Sequence, residues 1–454
     1  MAQGVGPRWS SRMTYSLAAI GAAVGLGNIW KFPYMAGNGG GGAFVLVYLL
    51  ALCIAAAPLF MAETLIGRLG RLSPPAAFRT IANTHKGKTV WPFFGYLGLF
   101  GVLLVLSFYS VIAGWTLSYI FKSVTGVFKG ADAGQVAQIF DQFKAQPLVL
   151  MLWQGLFLLC ALVIVGRGLL KGTERANRIV MPLLFLLLLT LLIYAVLEGA
   201  FVEALSYLFL PDWSQMTFSV ALSAVGQALF TLGVGVGGIM AYGAYVGANI
   251  SIARATLVVV VADTLVALLA GLMIFPIVFG HGLEPSQGAG LVFRTLPIAL
   301  GQMPLGSLVG GLFFLLLFFG AITSAISMME PGVMWLMERG RSRRQATLIF
   351  ALGAWAFGLG TVFSFNIWAN FYPLDFLPLF EEAHVFHIID VTVNNYILPI
   401  NGIAFCLFAG WVITSKAAKN ALGIESKHVF RAWQWSVRVF APLALFIILV
   451  ASSI

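Results

Sequence analysis

The chain has 454 residues, of which 60% are hydrophobic and 9% charged, with a mean hydropathy of +0.96. A soluble domain carries roughly 45–50% apolar and about 25% charged residues, so a water-soluble globule is excluded and lipid is the solvent that suits this composition. The net charge of +10 therefore concerns orientation in a bilayer rather than nucleic acid, which drops out as a partner.

Apolar stretches able to cross about 30 Å of hydrocarbon recur over residues 13–36, 42–66, 92–121, 148–166, 179–201, 218–243, 254–279, 305–337, 346–364, 388–414 and 432–452. They predict an all-α polytopic membrane protein of eleven spans. The first run is broken by glycines and lacks a clear cleavage site, so it reads as a transmembrane helix rather than a signal peptide. With a cytoplasmic N-terminus, twenty Lys and Arg fall in cytoplasmic segments against four outside, namely Lys122, Lys129, Lys144 and Arg294. The odd span count then predicts an extracytoplasmic C-terminus. Two outer segments are long enough to carry structure. Residues 280–304 hold Pro285, Gly288, Gly290, Pro297 and Gly301 and read as a short helical hairpin; residues 365–386 are aromatic and acidic, with Asp375, Glu381 and Glu382. Cys53, Cys160 and Cys406 lie in apolar runs without metal-binding or CxxC spacing, which argues against a disulfide scaffold.

Span 1 contains Gly21-Ala22-Ala23-Val24-Gly25-Leu26-Gly27-Asn28, and span 6 contains Thr231-Leu232-Gly233-Val234-Gly235-Val236-Gly237-Gly238. Glycine in a helix costs about 1 kcal/mol relative to alanine, so these clusters make unwinding cheap. One cluster alone is as well explained by close helix packing. Two clusters, each in the first helix of a set of five, point instead to an inverted-repeat transporter with a midplane site. The predicted units are 1–201 (spans 1–5, break at 21–28), 202–414 (spans 6–10, break at 231–238) and 415–454 (a cytoplasmic loop and span 11).

Asn28, Thr231, Asp263, Thr323 and Ser324 offer hard oxygens beside the breaks, with carbonyls at Gly21, Ala23 and Val24 adding more. Such ligands suit a small alkali cation. Asp263 stands out, because an ionisable side chain inside a span is costly and its natural partner is a cation or a proton. Glu63 and Glu330 also lie in apolar surroundings, where a structural hydrogen-bonding role serves as well. None of His85, His281, His384, His387 and His428 sits in a catalytic motif or mid-span, and no nucleophile elbow occurs, so an enzyme is disfavoured. A substrate-sensing receptor stays open, since binding and transport share a pocket.

The stretch Gly25-Leu26-Gly27-Asn28-Ile29-Trp30-Lys31-Phe32-Pro33-Tyr34, followed by Asn38-Gly39-Gly40-Gly41-Gly42-Ala43-Phe44, resembles the neurotransmitter:sodium symporter family, in particular its bacterial amino-acid transporters of eleven spans. Gly226-Gln227-Ala228-Leu229-Phe230-Thr231-Leu232 in span 6 and Ala321-Ile322-Thr323-Ser324 in span 8 extend the likeness over nearly the whole chain.

The resemblance implies two sodium sites. Ala23, Asn28, Thr231, Asp263 and the substrate carboxylate would form the first; Gly21, Val24, Gly320, Thr323 and Ser324 would form the second. The substrate carboxylate would meet the Leu26 and Gly27 backbone and the Tyr109 hydroxyl. Its ammonium would meet carbonyls at the breaks, including Ala23 and Phe230. Freed N–H groups favour an anion and freed carbonyls a cation. Ala22, Thr231, Val105, Tyr109, Phe230, Gly233, Val236, Ser324 and Met328 would surround the rest. This wall is uncharged, so acidic and basic amino acids are expected to be poor substrates. The family's leucine transporter has serine where Gly233 stands and phenylalanine where Val236 stands, which predicts room here for bulky hydrophobic or aromatic side chains. The alternative is a transporter of small amino acids or amines.

Three departures from the family pattern carry expectations of their own. The outer gate pairs Lys31, a point charge in place of an arginine fork, with Asp390, while Tyr109 and Phe230 close over the substrate. Asp263 replaces an asparagine and Ala267 occupies the chloride-site position. A resident carboxylate balances sodium unaided, so chloride independence is expected, and proton counter-transport stays open. At the inner gate Glu338 matches the acidic partner, but the usual arginine position is Gly6, leaving Arg8 either to substitute or to serve as a positive-inside anchor. The resulting expectation is sodium-coupled symport of neutral L-amino acids by alternating access in a bacterial plasma membrane.

Overall fold

A computed structural model describes residues 7–85, 88–284 and 290–452. Among these residues every regular element is a helix. Among the described residues nine helices are long and apolar enough to cross a membrane: Gly42–Gly70, Trp91–Val124, Pro147–Gly166, Leu169–Glu198, Ile252–Phe279, Gly306–Met337, Arg343–Ser364, Val385–Val412 and Lys427–Ala451. They are spans 2–5 and 7–11. The other two spans are interrupted. Span 1 runs over Arg12–Ala23 and resumes as Gly27–Lys31 and Phe32–Asn38. Span 6 runs over Phe218–Thr231 and resumes as Gly238–Ala244. The chain is a multi-pass membrane protein with eleven spans.

Burial sorts the spans by depth in the bundle. The most apolar windows of spans 3 and 8 are 83% and 78% buried, against 28% for spans 5 and 11, so the first pair forms the centre and the second faces lipid. The break in span 1 is narrower than predicted, Val24 being extended (φ −71°, ψ 108°) before helix resumes at Gly27. The break in span 6 covers Leu232–Gly237, close to the predicted 231–238. Here Gly233, Gly235 and Gly237 take φ of 62°, 94° and 81°, left-handed conformations that side chains resist. The close-packing explanation of glycine applies just beyond the break. A Cβ on Gly243 would meet the Thr64 carbonyl oxygen at 2.6 Å, and one on Gly67 would collide with the Met240 carbonyl, so span 2 and the second half of span 6 touch backbone to backbone.

Span 5 begins at Leu169, ten residues before the predicted 179, because its first turns carry Lys171, Thr173 and Glu174, which a hydropathy reading excludes. The 280–304 segment is helical over Leu291–Thr295 and Leu296–Gln302, whereas Pro285 and Gly288 lie outside the described residues. The 365–386 segment forms turns around a short Pro378–Phe380 helix. Shorter helices Pro74–Thr84, Ala133–Lys144, Phe201–Phe209 and Ser415–Leu422 cover the two membrane edges.

Candidate functional site

The two breaks face each other across a cavity of about 60 Å³. All twelve side-chain and backbone positions expected around the substrate line it: Ala22, Ala23, Leu26, Gly27, Val105, Tyr109, Phe230, Thr231, Gly233, Val236, Ser324 and Met328. Gly25, Val234, Gly238, Ser327 and Leu398 also line it and were not anticipated. Leu398 comes from span 10, whose sequence has no break to draw attention to it. The Tyr109 hydroxyl is buried beside Ser324 and the Leu26 amide, yet completes no hydrogen bond of its own. A Cβ on Gly25 would lie 2.5 Å from Ser324 Oγ and 3.2 Å from Tyr109 Oη, so glycine there lets this polar end form. At Gly233 a Cβ would meet only the Ala22 carbonyl, at 3.6 Å, so open space lies at this position.

Beside the cavity Asn28 joins three elements. Its amide nitrogen donates to Thr231 Oγ1 (2.9 Å), Asp263 Oδ1 (2.7 Å) and the Asp263 carbonyl (3.2 Å), and its Oδ1 accepts from the Gly25 N–H (3.1 Å). Thr231 Oγ1 lies 3.1 Å from both Asp263 carboxylate oxygens, and Tyr48 Oη donates to Oδ2 at 3.2 Å. Asn28 and Asp263 are fully buried, so an anionic carboxylate here sits among hydrogen-bond donors in a dry environment that favours a cation. Tyr48 was missed in the sequence, since a tyrosine in an apolar run carries no signal of its own. Ala267, one turn along span 7, is buried and offers no chloride ligand.

A second oxygen cluster lies between spans 1 and 8. Ser324 Oγ stands 3.4 Å from the Gly21 carbonyl oxygen and 3.5 Å from that of Val24, while Thr323 Oγ1 donates to the Gly320 carbonyl at 3.0 Å. These are hard ligands at the C-terminal end of a half-helix, where carbonyls lose their intrahelical partners. Among the described residues no group of three His, Cys, Asp or Glu gathers as a transition-metal site would require.

The model of the sodium:neurotransmitter symporter family matches residues 6–135 and 136–454. The chain belongs to this family. The symporter is 33% identical over 450 residues to YhdH of Bacillus subtilis strain 168, described as an uncharacterized sodium-dependent transporter, covering 97% of this chain and 96% of that protein. A sodium-dependent transporter of Haemophilus influenzae is 29% identical over 452 residues, covering 98% and 97%. Among solved structures, MhsT in complex with L-phenylalanine superposes with a TM-score of 0.89 at 38% identity, covering 98% of this chain and 100% of that one.

In the symporter Leu26, Gly27, Tyr109 and Phe230 are shared between this cavity and a neighbouring vestibule of about 230 Å³. A Cβ on Gly27 would meet the Phe230 ring at 3.0 Å, so this ring packs directly against the break. Lys31 and Asp390 both line the vestibule but form no ion pair. Lys31 Nζ sits 4.1 Å above the centre of the Phe230 ring, and Asp390 accepts from Asn394 Nδ2 at 2.7 Å. An ammonium can favour an aromatic face where a guanidinium fork would seek the carboxylate.

The expected inner gate differs more. Glu338 accepts from the N–H (2.6 Å) and hydroxyl of Ser73, while Arg8 is exposed and forms no ion pair among the described residues; Gly6 lies outside them. Trp9 holds this edge instead. Its ring is 5% exposed, packs against Tyr242, and donates to the Tyr242 carbonyl at 3.1 Å. Beside it Ser10 bonds Glu174, and Arg343 grips Glu330 with two bonds of 2.9 and 2.6 Å, joined by Tyr245 at 2.6 Å. Glu63 accepts from the Gly235 N–H in the span 6 break. Both glutamates thus have a structural role.

Proposed function

We propose that this symporter couples sodium entry to uptake of bulky hydrophobic or aromatic neutral L-amino acids across a bacterial plasma membrane. The observation that carries the reading is the cavity between the breaks, polar at Tyr109 and the Leu26–Gly27 backbone, uncharged throughout, and with open space at Gly233. A relative of the same fold that binds L-phenylalanine supports it. One sodium would sit among Ala23, Asn28, Thr231, Asp263 and the substrate carboxylate. The second would sit among Gly21, Val24, Gly320, Thr323 and Ser324. With a carboxylate at Asp263, charge is balanced without chloride, and the same group can take a proton on the return step. The amino acid and sodium stabilise the broken helices together, and Phe230 with Tyr109 then covers the substrate. Spans 1, 2, 6 and 7 rock against the remainder, with residues 1–201 and 202–414 as the inverted halves. The N-terminus faces the cytoplasm and the C-terminus the outside.

Uptake of radiolabelled leucine, tryptophan and glycine into proteoliposomes, with and without an inward sodium gradient, tests this. Sodium-dependent accumulation of leucine or tryptophan over glycine is the expected result. Binding without accumulation would make the protein a sensor, glycine preference would overturn the reading of the wall, and a rate that tracks external chloride would overturn chloride independence.

A further inference from the structure

A second chamber, of about 340 Å³, lies beside the cavity between the breaks, where the resumed half of span 1, the first half of span 6, span 10 and the end of span 11 meet. Phe230, Val234 and Leu398 line both spaces and so stand between them. The chamber has the volume of a small-molecule site, about 300–1,000 Å³. It reaches the membrane edge at Ser219, which is exposed at the start of span 6, and at Ser452, just past the end of span 11. A molecule entering there does not pass through the cavity between the breaks.

Two polar groups in the chamber lining are uncommitted. The Lys31 ammonium rests 4.1 Å from the centre of the Phe230 ring and forms no ion pair among the described residues. Four residues earlier in the same helical segment, the Gly27 carbonyl accepts from Gln227 Nε2 at 3.1 Å. That bond fixes the orientation of the amide. Gln227 is 1% exposed, and its Oε1 accepts from no donor among the described residues. Leu222, Leu445 and Ile448 add an apolar stretch, and among the described residues neither Asp nor Glu lines the chamber.

Lys31 offers only donors and Gln227 Oε1 only an acceptor, so the complementary ligand carries a carboxylate, a neighbouring hydroxyl and an apolar chain. We propose that the chamber binds an α-hydroxy acid, with its carboxylate on Lys31, its hydroxyl donating to Gln227 Oε1 and its chain against Leu222, Leu445 and Ile448. An α-amino acid fits less well, because its ammonium finds no carboxylate here and meets the like charge of Lys31. The site is separate from the one that carries the transported substrate, so both can be filled at once.

The test is isothermal titration calorimetry of α-hydroxyisocaproate into the purified full-length protein in sodium-containing detergent buffer. Binding is expected, and it persists with leucine and tryptophan in millimolar excess. Isocaproate, which lacks the hydroxyl, should bind about fivefold more weakly, as for the loss of one hydrogen bond, and Gln227→Met should erase that difference. Lys31→Gln should weaken both acids about tenfold. Ser223→Trp and Ile448→Trp fill the chamber from two different spans, and each should abolish binding. Equal melting temperatures in acid-free buffer establish that the variants fold. Absence of binding at millimolar acid overturns the proposal, as does undiminished binding in a folded tryptophan variant. Displacement of the acid by leucine or tryptophan also overturns it, placing the acid between the breaks. If neither amino acid gives heat, the transport reading fails while the tryptophan variants still decide the chamber.

Discussion

At the scale of single residues the chemistry concentrates in Asp263 and in the wall opposite Tyr109. Asp263 supplies the carboxylate in the cluster with Asn28, Thr231 and Tyr48. Replacing it by asparagine removes the charge while keeping the shape. Asp263→Asn is expected to raise the half-saturating sodium concentration for uptake about tenfold, equivalent to about 1.4 kcal/mol, in a sodium titration of proteoliposome transport. An unchanged titration would remove Asp263 from the ion site. Val236 governs volume. Filling its side of the cavity with Val236→Phe should depress tryptophan uptake relative to leucine by roughly tenfold, the scale at which apolar pockets separate substrates by size. Competition between the two labelled amino acids reads this directly. Asp263 could be named from the sequence because it is an ionisable side chain inside an apolar span, and Val236 because it stands in the glycine-rich break of span 6. Tyr48 and Leu398 could not, because they reach the site only through the packing of spans 2 and 10 against the breaks.

At the scale of elements, the interrupted helices are held open by their neighbours. Unwinding span 6 frees backbone N–H groups in a dry interior, and Glu63 of span 2 accepts from that of Gly235. Glu63→Ala leaves it unpaired and should lower stability by about 1–3 kcal/mol, visible as a reduced melting temperature in detergent. Span 2 lies close enough to do this because Gly67 lacks a side chain. Gly67→Ala places a methyl group against the Met240 carbonyl, and backbone on both sides leaves little room to relax. Loss of the monodisperse peak in size-exclusion chromatography is the expected outcome, and a well-folded Gly67→Ala protein would show that spans 2 and 6 can separate. The sequence marked the glycines of span 6 as either breaks or packing positions. Both occur, at 233–237 and at 243, and only the neighbouring backbone separates the two uses.

At the scale of the whole molecule, the two faces are closed by different means. On the vestibule side the cavity is bordered by the Phe230 and Tyr109 rings, whereas the opposite side is held by Trp9, the Ser10–Glu174 bonds and the buried Arg343–Glu330 pair. The segments that follow spans 3 and 7 are tied to each other as well. Arg294, in the segment after span 7, meets Asp141 of the Ala133–Lys144 helix at 2.6 Å, and Lys144 meets it at 3.1 Å. Partial burial alone would raise the Asp141 carboxyl, but these two cations hold it below the usual carboxylate range. A depressed folded-state value means that the contact adds stability above the unfolded value, near pH 4, and loses it as pH falls further. Asp141 is 54% exposed, so Asp141→Asn should cost less than about 1 kcal/mol at pH 7 and flatten the acid limb of a melting-temperature profile. An unaltered acid limb would show that the contact does not persist in solution.

What the sequence determined by itself follows from solvent and local conformation. Lipid demands long apolar helices with internally satisfied backbones, so the eleven spans are written in hydropathy, and glycine-rich interruptions mark where helices are cheapest to open. The motifs around Asn28, Thr231 and Thr323 likewise lie contiguous in the chain. Tertiary structure alone decided which partner each charged group takes. Lys31 chose the Phe230 face over Asp390, Glu338 chose Ser73 over Arg8, and Glu330 chose Arg343 and Tyr245. Such choices depend on distances of a few ångströms between helices remote in sequence, in surroundings where burying an unpaired charge costs more than any local preference supplies.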